Sequence, residues 1–390
     1  LAALCGAKTL LGSATPSVES YFNAATGKYG LVTLAERYGG AVLPSVIVSD
    51  TLRAAKRGEK RSHFNKVLLD RIGEALQAGS QAILFQNRRG FSPYVECGHC
   101  GWTANCPDCN VSLTYHKSDG SLRCHYCGYR IPVPAVCPSC GTGSLLPRGF
   151  GTEKIEQELA AIFPEAAIDR LDADTSQSAG GYRRIVEAFE QGRTDILIGT
   201  QIVTKGFDFG GVSLVGILNA DNLLNYPDFR AGERAFQLMT QVGGRAGRRS
   251  EPGTVVIQTA QPQHPVIEQV LRGDYGAMVR SQLAERRAFF YPPYCRLIAV
   301  VMRHRDKELL WRAAGAFAES AREVFGRRLL GPEAPPVDRI RGRFLVRFLL
   351  KIERRSPSAE AKRLLQELFG RLHARAEFRS VEVAADVDPM

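Results

Sequence analysis

Four Cys-x-x-Cys pairs, Cys97/Cys100, Cys106/Cys109, Cys124/Cys127 and Cys137/Cys140, fall within 44 residues of a 390-residue chain. Two thiolates separated by two residues reach one metal from a single tight turn, so eight suffice for two tetrahedral four-cysteine zinc sites. Cys109 and Cys124 have 14 residues between them, close to a zinc-ribbon separation. That favours a nested arrangement, with Cys106, Cys109, Cys124 and Cys127 as an inner site and Cys97, Cys100, Cys137 and Cys140 as an outer one. The sequential alternative builds one site from Cys97 to Cys109 with only five residues between its pairs. Disulfides are disfavoured because no secretory signal is recognisable and an intracellular chain keeps its thiols reduced. Four consecutive pairs are too many for one thioredoxin-like motif, and the spacing matches neither ferredoxin pattern. The remaining thiols, Cys5 and Cys295, stand apart. His99, His116 and His125 are expected at the surface, because eight sulfurs complete both shells.

A second constellation carries different chemistry. Gly12-Ser13-Ala14-Thr15-Pro16-Ser17 is a small-residue loop after a short apolar strand at Leu10–Leu11. Gly199-Thr200-Gln201 follows a strand, with Lys205-Gly206-Phe207-Asp208-Phe209 four residues on, and Gln241 to Arg248 ends a helix. Arg245 and Arg248, three residues apart, are expected on one face of a helical turn. A permanently charged, forked guanidinium suits the charge that builds on a transferring γ-phosphoryl group, and the glycines allow close backbone approach.

The elements that must hold these groups alternate. Lys66 to Gln77, Glu153–Phe163, Tyr182–Glu190 and Glu233–Val242 have helical periodicity. Ala82–Phe85, Ile168–Leu171, Ile196–Ile198, Leu214–Leu218 and Val255–Ile257 are apolar strands. This order predicts an α/β fold, a parallel sheet with helices on both faces, interrupted by the cysteine block. Tyr291-Pro292-Pro293-Tyr294 punctuates a boundary before an α+β remainder. Hydrophobic residues make up 44% of the chain, and no run approaches the roughly 18 apolar residues that span a membrane. The net charge is +11, and from Arg280 onward 23 Lys and Arg face 14 Asp and Glu. Such a basic region favours a polyanion, nucleic acid before membrane, over a merely solvated surface. Arg339, Arg341, Arg343, Lys351, Arg354 and Arg355 could share a strand-and-loop surface. Lys362, Arg363 and Gln366 share a helix face.

Gly12–Ser17, Thr200–Asp208 and Gln241–Arg248 resemble motifs III, V and VI of superfamily-2 helicases, and Asn87-Arg88-Arg89-Gly90 resembles motif IV. With the four Cys pairs between motifs IV and V, nearly the whole chain resembles the C-terminal portion of the PriA family of primosomal replication-restart helicases. The resemblance extends to Tyr291–Tyr294, Leu330-Gly331-Pro332 and Asp386-Val387-Asp388-Pro389. It departs at Phe207, where His is common, and at Gly243, where Ala or Ser is common. No Walker A loop is present: Gly6-Ala7-Lys8-Thr9 lacks both glycines of that motif. The chain starts with Leu1 in mid-fold and is expected to be part of a longer protein.

The resemblance implies a RecA-like helicase lobe 2 with an inserted two-zinc Cys-rich module and an α+β C-terminal domain. Residues 1–30 would end lobe 1, 31–95 link to and start lobe 2, 96–141 form the insert, 142–278 complete the lobe, and 279–390 form the basic domain. It implies an ATP- and Mg²⁺-dependent 3′→5′ DNA helicase that recognises forks and starts primosome assembly, in the cytoplasm of a bacterium and near its nucleoid. Gly206 and Asp208 would lie near ATP, Arg245 and Arg248 would act as arginine fingers, and Ser13, Thr15, Thr200, Gln201 and Lys205 would contact DNA or couple it to hydrolysis. Lys362, Arg363 and Gln366 would meet single-strand-binding protein, and further partners would be primosome proteins and a helicase loader. Two other classes stay open: a non-enzymatic zinc and DNA-binding scaffold, which leaves Gln241–Arg248 unexplained, and a translocase that does not separate strands.

Overall fold

The computed structural model describes residues 2, 4–34, 44–86, 94–116, 119–148, 152–171, 179–200, 209–247, 252–354 and 356–389. Six strands form one parallel sheet: β1 (Ser45–Asp50), β2 (Gln81–Phe85), β3 (Ile168–Leu171), β4 (Ile196–Gly199), β5 (Val212–Ile217) and β6 (Thr254–Thr259), in the order β1-β6-β5-β2-β4-β3. Strands β2 and β4 are buried along their whole length, as their continuous apolar runs demand of a parallel sheet covered on both sides. Alternate residues serve two cores. Ile83 and Phe85 face α4 (Ala179–Glu190), α5 (Ala231–Gly243), α6 (Pro265–Arg272) and α7 (Tyr275–Ala288). Ala82 and Leu84 face α2 (Lys66–Gln77) and α3 (Thr152–Ile162). Gly216 lets α2 approach, since a Cβ there would sit 2.6 Å from Leu84 Cδ2 and 2.9 Å from Leu68 Cδ1.

Two features differ from the sequence reading. Strand β1 was not foreseen. It is an edge strand whose Val46 and Val48 are only half buried, so its apolar run is short and weakly patterned. The apolar strand expected at Leu10–Leu11 does not form. Those side chains are 97% and 72% exposed, with no neighbouring strand among the described residues to pair with. Instead Ser17 caps α1 (Val18–Ala25), its Oγ accepting from Ser20 N at 3.1 Å.

The C-terminal part is an antiparallel sheet of β7 (Cys295–His304), β8 (Leu329–Glu333), β9 (Arg339–Ile340), β10 (Arg343–Glu353) and β11 (Glu382–Val387), in the order β8-β10-β7-β11 with β9 pairing on β10. Val300, Met302, Phe348 and Leu350 face α8 (Lys307–Phe325) and α9 (Ser358–Ala374). Cys295, Leu297, Ala299 and Leu349 face the other way, into a core shared with the Cys-rich module. No helix among the described residues is long and apolar enough to cross a membrane.

Candidate functional site

The four Cys pairs repeat one local geometry. The N–H four residues after the first Cys of each pair returns to that Cys carbonyl: Gly101 to Cys97 at 2.9 Å, Asn110 to Cys106 at 2.9 Å, Gly128 to Cys124 at 3.0 Å and Gly141 to Cys137 at 2.8 Å. All four donors have positive φ, between 49° and 84°, which only Gly and, less easily, Asn adopt cheaply. The turn aims backbone N–H groups at sulfur, as from His99 to Cys97 Sγ and from Tyr126 to Cys124 Sγ, both at 3.4 Å. These residues were a legible signal in the sequence that the pair spacing alone did not use.

The sulfurs gather in the nested arrangement, Cys97, Cys100, Cys137 and Cys140 in one group and Cys106, Cys109, Cys124 and Cys127 in the other, each within 4.8 Å. The separations of Cys97–Cys140, Cys100–Cys137 and Cys106–Cys127 are 3.6, 3.7 and 3.6 Å. Four thiolates around tetrahedral zinc, at bonds of 2.3 Å, stand about 3.8 Å apart, so both donor sets fit that ion. A disulfide needs about 2.05 Å. The Cys97 thiol is pushed down to about 6. Its burial opposes ionisation, but the Thr142 hydroxyl and the N–H groups of Cys100 and His99 outweigh it.

The two centres sit differently. In the outer one Cys100 is exposed and Cys140 half-buried, whereas three of the inner four are buried. The inner turns are clamped by the C-terminal part: Tyr291 Oη donates to Cys109 O at 3.0 Å and Asn110 Nδ2 bonds Glu285 Oε1. The Arg347 guanidinium lies 5.1 Å from the Tyr126 ring centre. His99 is exposed as expected, but His125 is not. It is 5% exposed, and its Nδ1 meets Ala334 O at 2.5 Å and its Nε2 lies 3.3 Å from His116 Nε2. The connection after β8 covers it, a contact that no local pattern announces. Burial pushes the His125 imidazole down to about 4, opposed by the Ala334 carbonyl.

The second constellation is built on α5. The Ser13 Oγ accepts from Thr15 N at 3.1 Å, and the buried Thr15 is held by Gln237 Nε2, which donates to its carbonyl at 3.2 Å. Gln241 Nε2 donates to Thr15 Oγ1 at 3.4 Å. Thus the Gly12–Ser17 loop lies along the helix that leads to Arg245. That arginine is not on the helix. It follows the Gly244 cap in a tight turn, with its N–H to Val242 O at 3.0 Å. The turn is pinned to the amino end of β5 by Gly247 N to Val212 O at 3.1 Å. Thr200 is buried at the opposite, carboxyl edge, just beyond β4, its N–H bonded to Leu171 O at 3.3 Å. Asn87–Gly90, Gln201 to Asp208 (with Lys205 and Gly206), Arg248 and Arg355 lie outside the described residues. Lys362, Arg363 and Gln366 are all exposed on α9, with Arg363 paired to Glu367 at 2.5 Å. Two of the expected nucleic-acid cations also make contacts within the chain. Lys351 Nζ donates to Phe289 O at 2.8 Å and lies 3.8 Å from the Tyr291 ring centre. Arg354 sits over Phe22 and donates to Asn23 Oδ1 at 3.0 Å.

With this geometry in place, likeness to known proteins decides the family. The sequence matches the PriA DNA helicase Cys-rich region domain over residues 106–132, the helicase conserved C-terminal domain over 151–250, and the primosomal protein N C-terminal domain over 287–390. The replication restart protein PriA of Bacillus subtilis (strain 168) is 38% identical over 382 residues, covering 97% of this chain and 47% of that protein. The PriA of Treponema pallidum (strain Nichols) is 39% identical over 386 residues, 98% of this chain and 56% of that protein. The chain belongs to the PriA family. It spans about half the length of these PriA relatives. Among solved structures, RecG bound to a three-way DNA junction aligns with a TM-score of 0.40 at 15% identity, over 71% of this chain and 27% of that one. The matched helicase C-terminal domain contains α5 and Arg245, and the matched PriA Cys-rich region contains the inner sulfur cluster.

Proposed function

We propose that the chain is the second motor lobe, Cys-rich module and C-terminal domain of an ATP-dependent 3′→5′ DNA helicase that recognises stalled or recombined forks and starts primosome assembly. The observation that carries this is the seating of Thr15 on Gln237 and Gln241 of α5. It joins the Gly12–Ser17 loop to the helix that leads to the Arg245 turn, while Thr200 stands at the other edge of the same sheet. A nucleotide on the amino side of β5 and a strand on the carboxyl side of β4 would then be read by one rigid body.

In this reading Arg245 and Arg248 face the γ-phosphate across from the other lobe, with Gly206 and Asp208 beside them. ATP with Mg²⁺ supplies the phosphoryl group and its charge neutralisation. Ser13, Thr15, Thr200, Gln201 and Lys205 hold the strand or relay its position. The two sulfur groups hold one zinc each. The division into residues 1–30, 31–95, 96–141, 142–278 and 279–390 is kept as part of this proposal. So are the meeting of Lys362, Arg363 and Gln366 with single-strand-binding protein, the primosome and loader partners, and a cytoplasmic, nucleoid-associated location.

The test is turnover in the full-length protein with forked DNA. Arg245→Ala should lower ATP hydrolysis by roughly 10³-fold while ATP binding changes far less, the scale of an arginine finger. Loss of binding alone would assign Arg245 a structural role. If wild-type turnover does not respond to DNA, the scaffold reading holds. DNA-stimulated turnover without strand displacement would favour the translocase.

A further inference from the structure

A cavity of about 530 Å³ opens where three parts of the chain meet: the α1 segment, the first turns of α5, and the C-terminal domain at Pro292–Arg296. Among the motifs above, it touches the end of the Gly12–Ser17 loop at Ser17, the Tyr291–Tyr294 segment at Pro292 and Pro293, and Asp388. Five cationic side chains line its wall, Lys28, Arg230, Arg234, Arg296 and Arg354, against three carboxylates. Two of those carboxylates are already neutralised. Glu233 Oε2 accepts from buried Arg286 at 2.5 Å, and Glu19 Oε1 takes Arg230 at 3.0 Å and Arg286 at 3.3 Å. By contrast, neither Lys28 nor Arg296 has a carboxylate partner among the described residues. The wall therefore has a surplus of positive charge with donors still available.

Position tells which anion fits. Helix α5 carries the chain from the carboxyl edge of the sheet, after β5, back to the amino edge before β6. Its first turns, which line the cavity, are thus on the carboxyl side, where parallel α/β sheets bind ligands. Thr200 is on that side too, and Arg245 is on the other. The cavity is also continuous with the loop that couples them: Ser17 lines it, two residues from Thr15.

The geometry points to a binding site for a backbone phosphate of a single nucleic-acid strand, one that leaves the Thr200 edge and passes between α1 and the C-terminal domain. Lys28 and Arg296 contact the phosphate, and Arg230, held by Glu19, positions the wall. This rests on the helicase reading and adds a contact to it. Occupancy would tie the C-terminal domain to the motor lobe through the strand itself.

The test is equilibrium binding of a fluorescent oligothymidylate to the whole chain across a salt series. It compares wild type, Lys28→Ala/Arg296→Ala, and Arg371→Ala/Arg375→Ala, which removes the same charge from the exposed end of α9. The cavity pair should weaken binding about tenfold and reduce the salt slope by about 0.7, the value for one phosphate contact on a single strand. The α9 pair should change both far less. Equal losses in the two variants would overturn the site in favour of a diffuse field. So would a cavity variant that binds like wild type. Competition by inorganic phosphate as strong as by the oligonucleotide would also overturn it, assigning the cavity to a free anion. If wild type binds no strand at all, the helicase reading fails with it. Thermal melts of both variants should match wild type, because neither side chain is buried. If the double variant unfolds, Arg296→Gln alone is read in the same assay, with about half the slope change expected.

Discussion

Glu233 is 3% exposed and accepts from three directions, Val18 N at 2.9 Å, Gln237 Nε2 at 3.2 Å and Arg286 Nη2 at 2.5 Å. Arg286 is 1% exposed, so each charge depends on the other for its solvation. Removing one partner strands a buried ion. Arg286→Ala should therefore cost about 3–5 kcal/mol in a urea melt, and Glu233→Gln less, because the amide keeps an acceptor for Val18. A Glu233→Gln variant as stable as wild type would mean that charge pairing contributes little here. His264 gives a pH dependence at the same scale. Its Nδ1 accepts from Val266 N at 3.2 Å to cap α6, and burial lowers its pKa from the ordinary 6.5. The folded imidazole resists protonation, so as pH falls below about 6.5 the unfolded chain takes up the proton first. This part of the stability is complete above that pH and is lost progressively below it. His264→Asn, which keeps an acceptor, should flatten the change in urea midpoint between about pH 8 and about pH 5.5. An unchanged slope would show that other groups set it.

Among the elements, the two sulfur centres differ in what they hold. The inner turns share a core with Phe229, Tyr291, Leu297 and Leu349, whereas the outer centre closes the strand pair Tyr94–Cys97 and Leu145–Arg148. Because a four-thiolate site supplies folding energy where it sits, the insert is not expected to unfold alone. Cys106→Ser should expose the amides of residues 291–299 to hydrogen exchange, while Cys100→Ser should leave them protected. Metal analysis should find two zinc ions in the wild-type chain. Protection at residues 291–299 that survives Cys106→Ser would separate the inner centre from domain docking.

For the whole molecule, the net charge of +11 divides into cations that build the fold and cations that face solvent. Lys351 belongs to the first group. Burial lowers its pKa, and it is enclosed by the Phe289 carbonyl and the Tyr291 ring. Arg339 and Arg341 belong to the second, both exposed at the β9–β10 turn. Lys351→Ala should lower the melting temperature and leave the salt slope of DNA binding nearly unchanged. Arg339→Ala/Arg341→Ala should do the reverse, flattening the slope by up to about 1.4 on a single strand. Sequence-independent binding measured at several salt concentrations checks both arms.

What the sequence determined by itself is what short spacing determines. Cys-x-x-Cys with Gly or Asn directly after the second Cys defines a turn whose geometry is complete within five residues. Continuous apolar runs such as Ala82–Phe85 bury as strands, and the 3.6-residue period of Lys66 to Gln77 makes a helix, whatever lies elsewhere. The grouping of sulfurs was legible because chain length between pairs limits it. Tertiary structure decided the rest. His125, Lys351 and Arg354 are polar in composition and looked solvated, but surfaces more than 200 residues away in sequence enclose His125, and Asn23 and Phe22 take Arg354. Strand β1 needed β6 to exist as a strand, and Leu10–Leu11, without such a neighbour among the described residues, form no strand and are exposed. Docking between distant faces depends on shape and pairing that no local periodicity encodes. The cavity between α1, α5 and Pro292–Arg296 arises only from that docking.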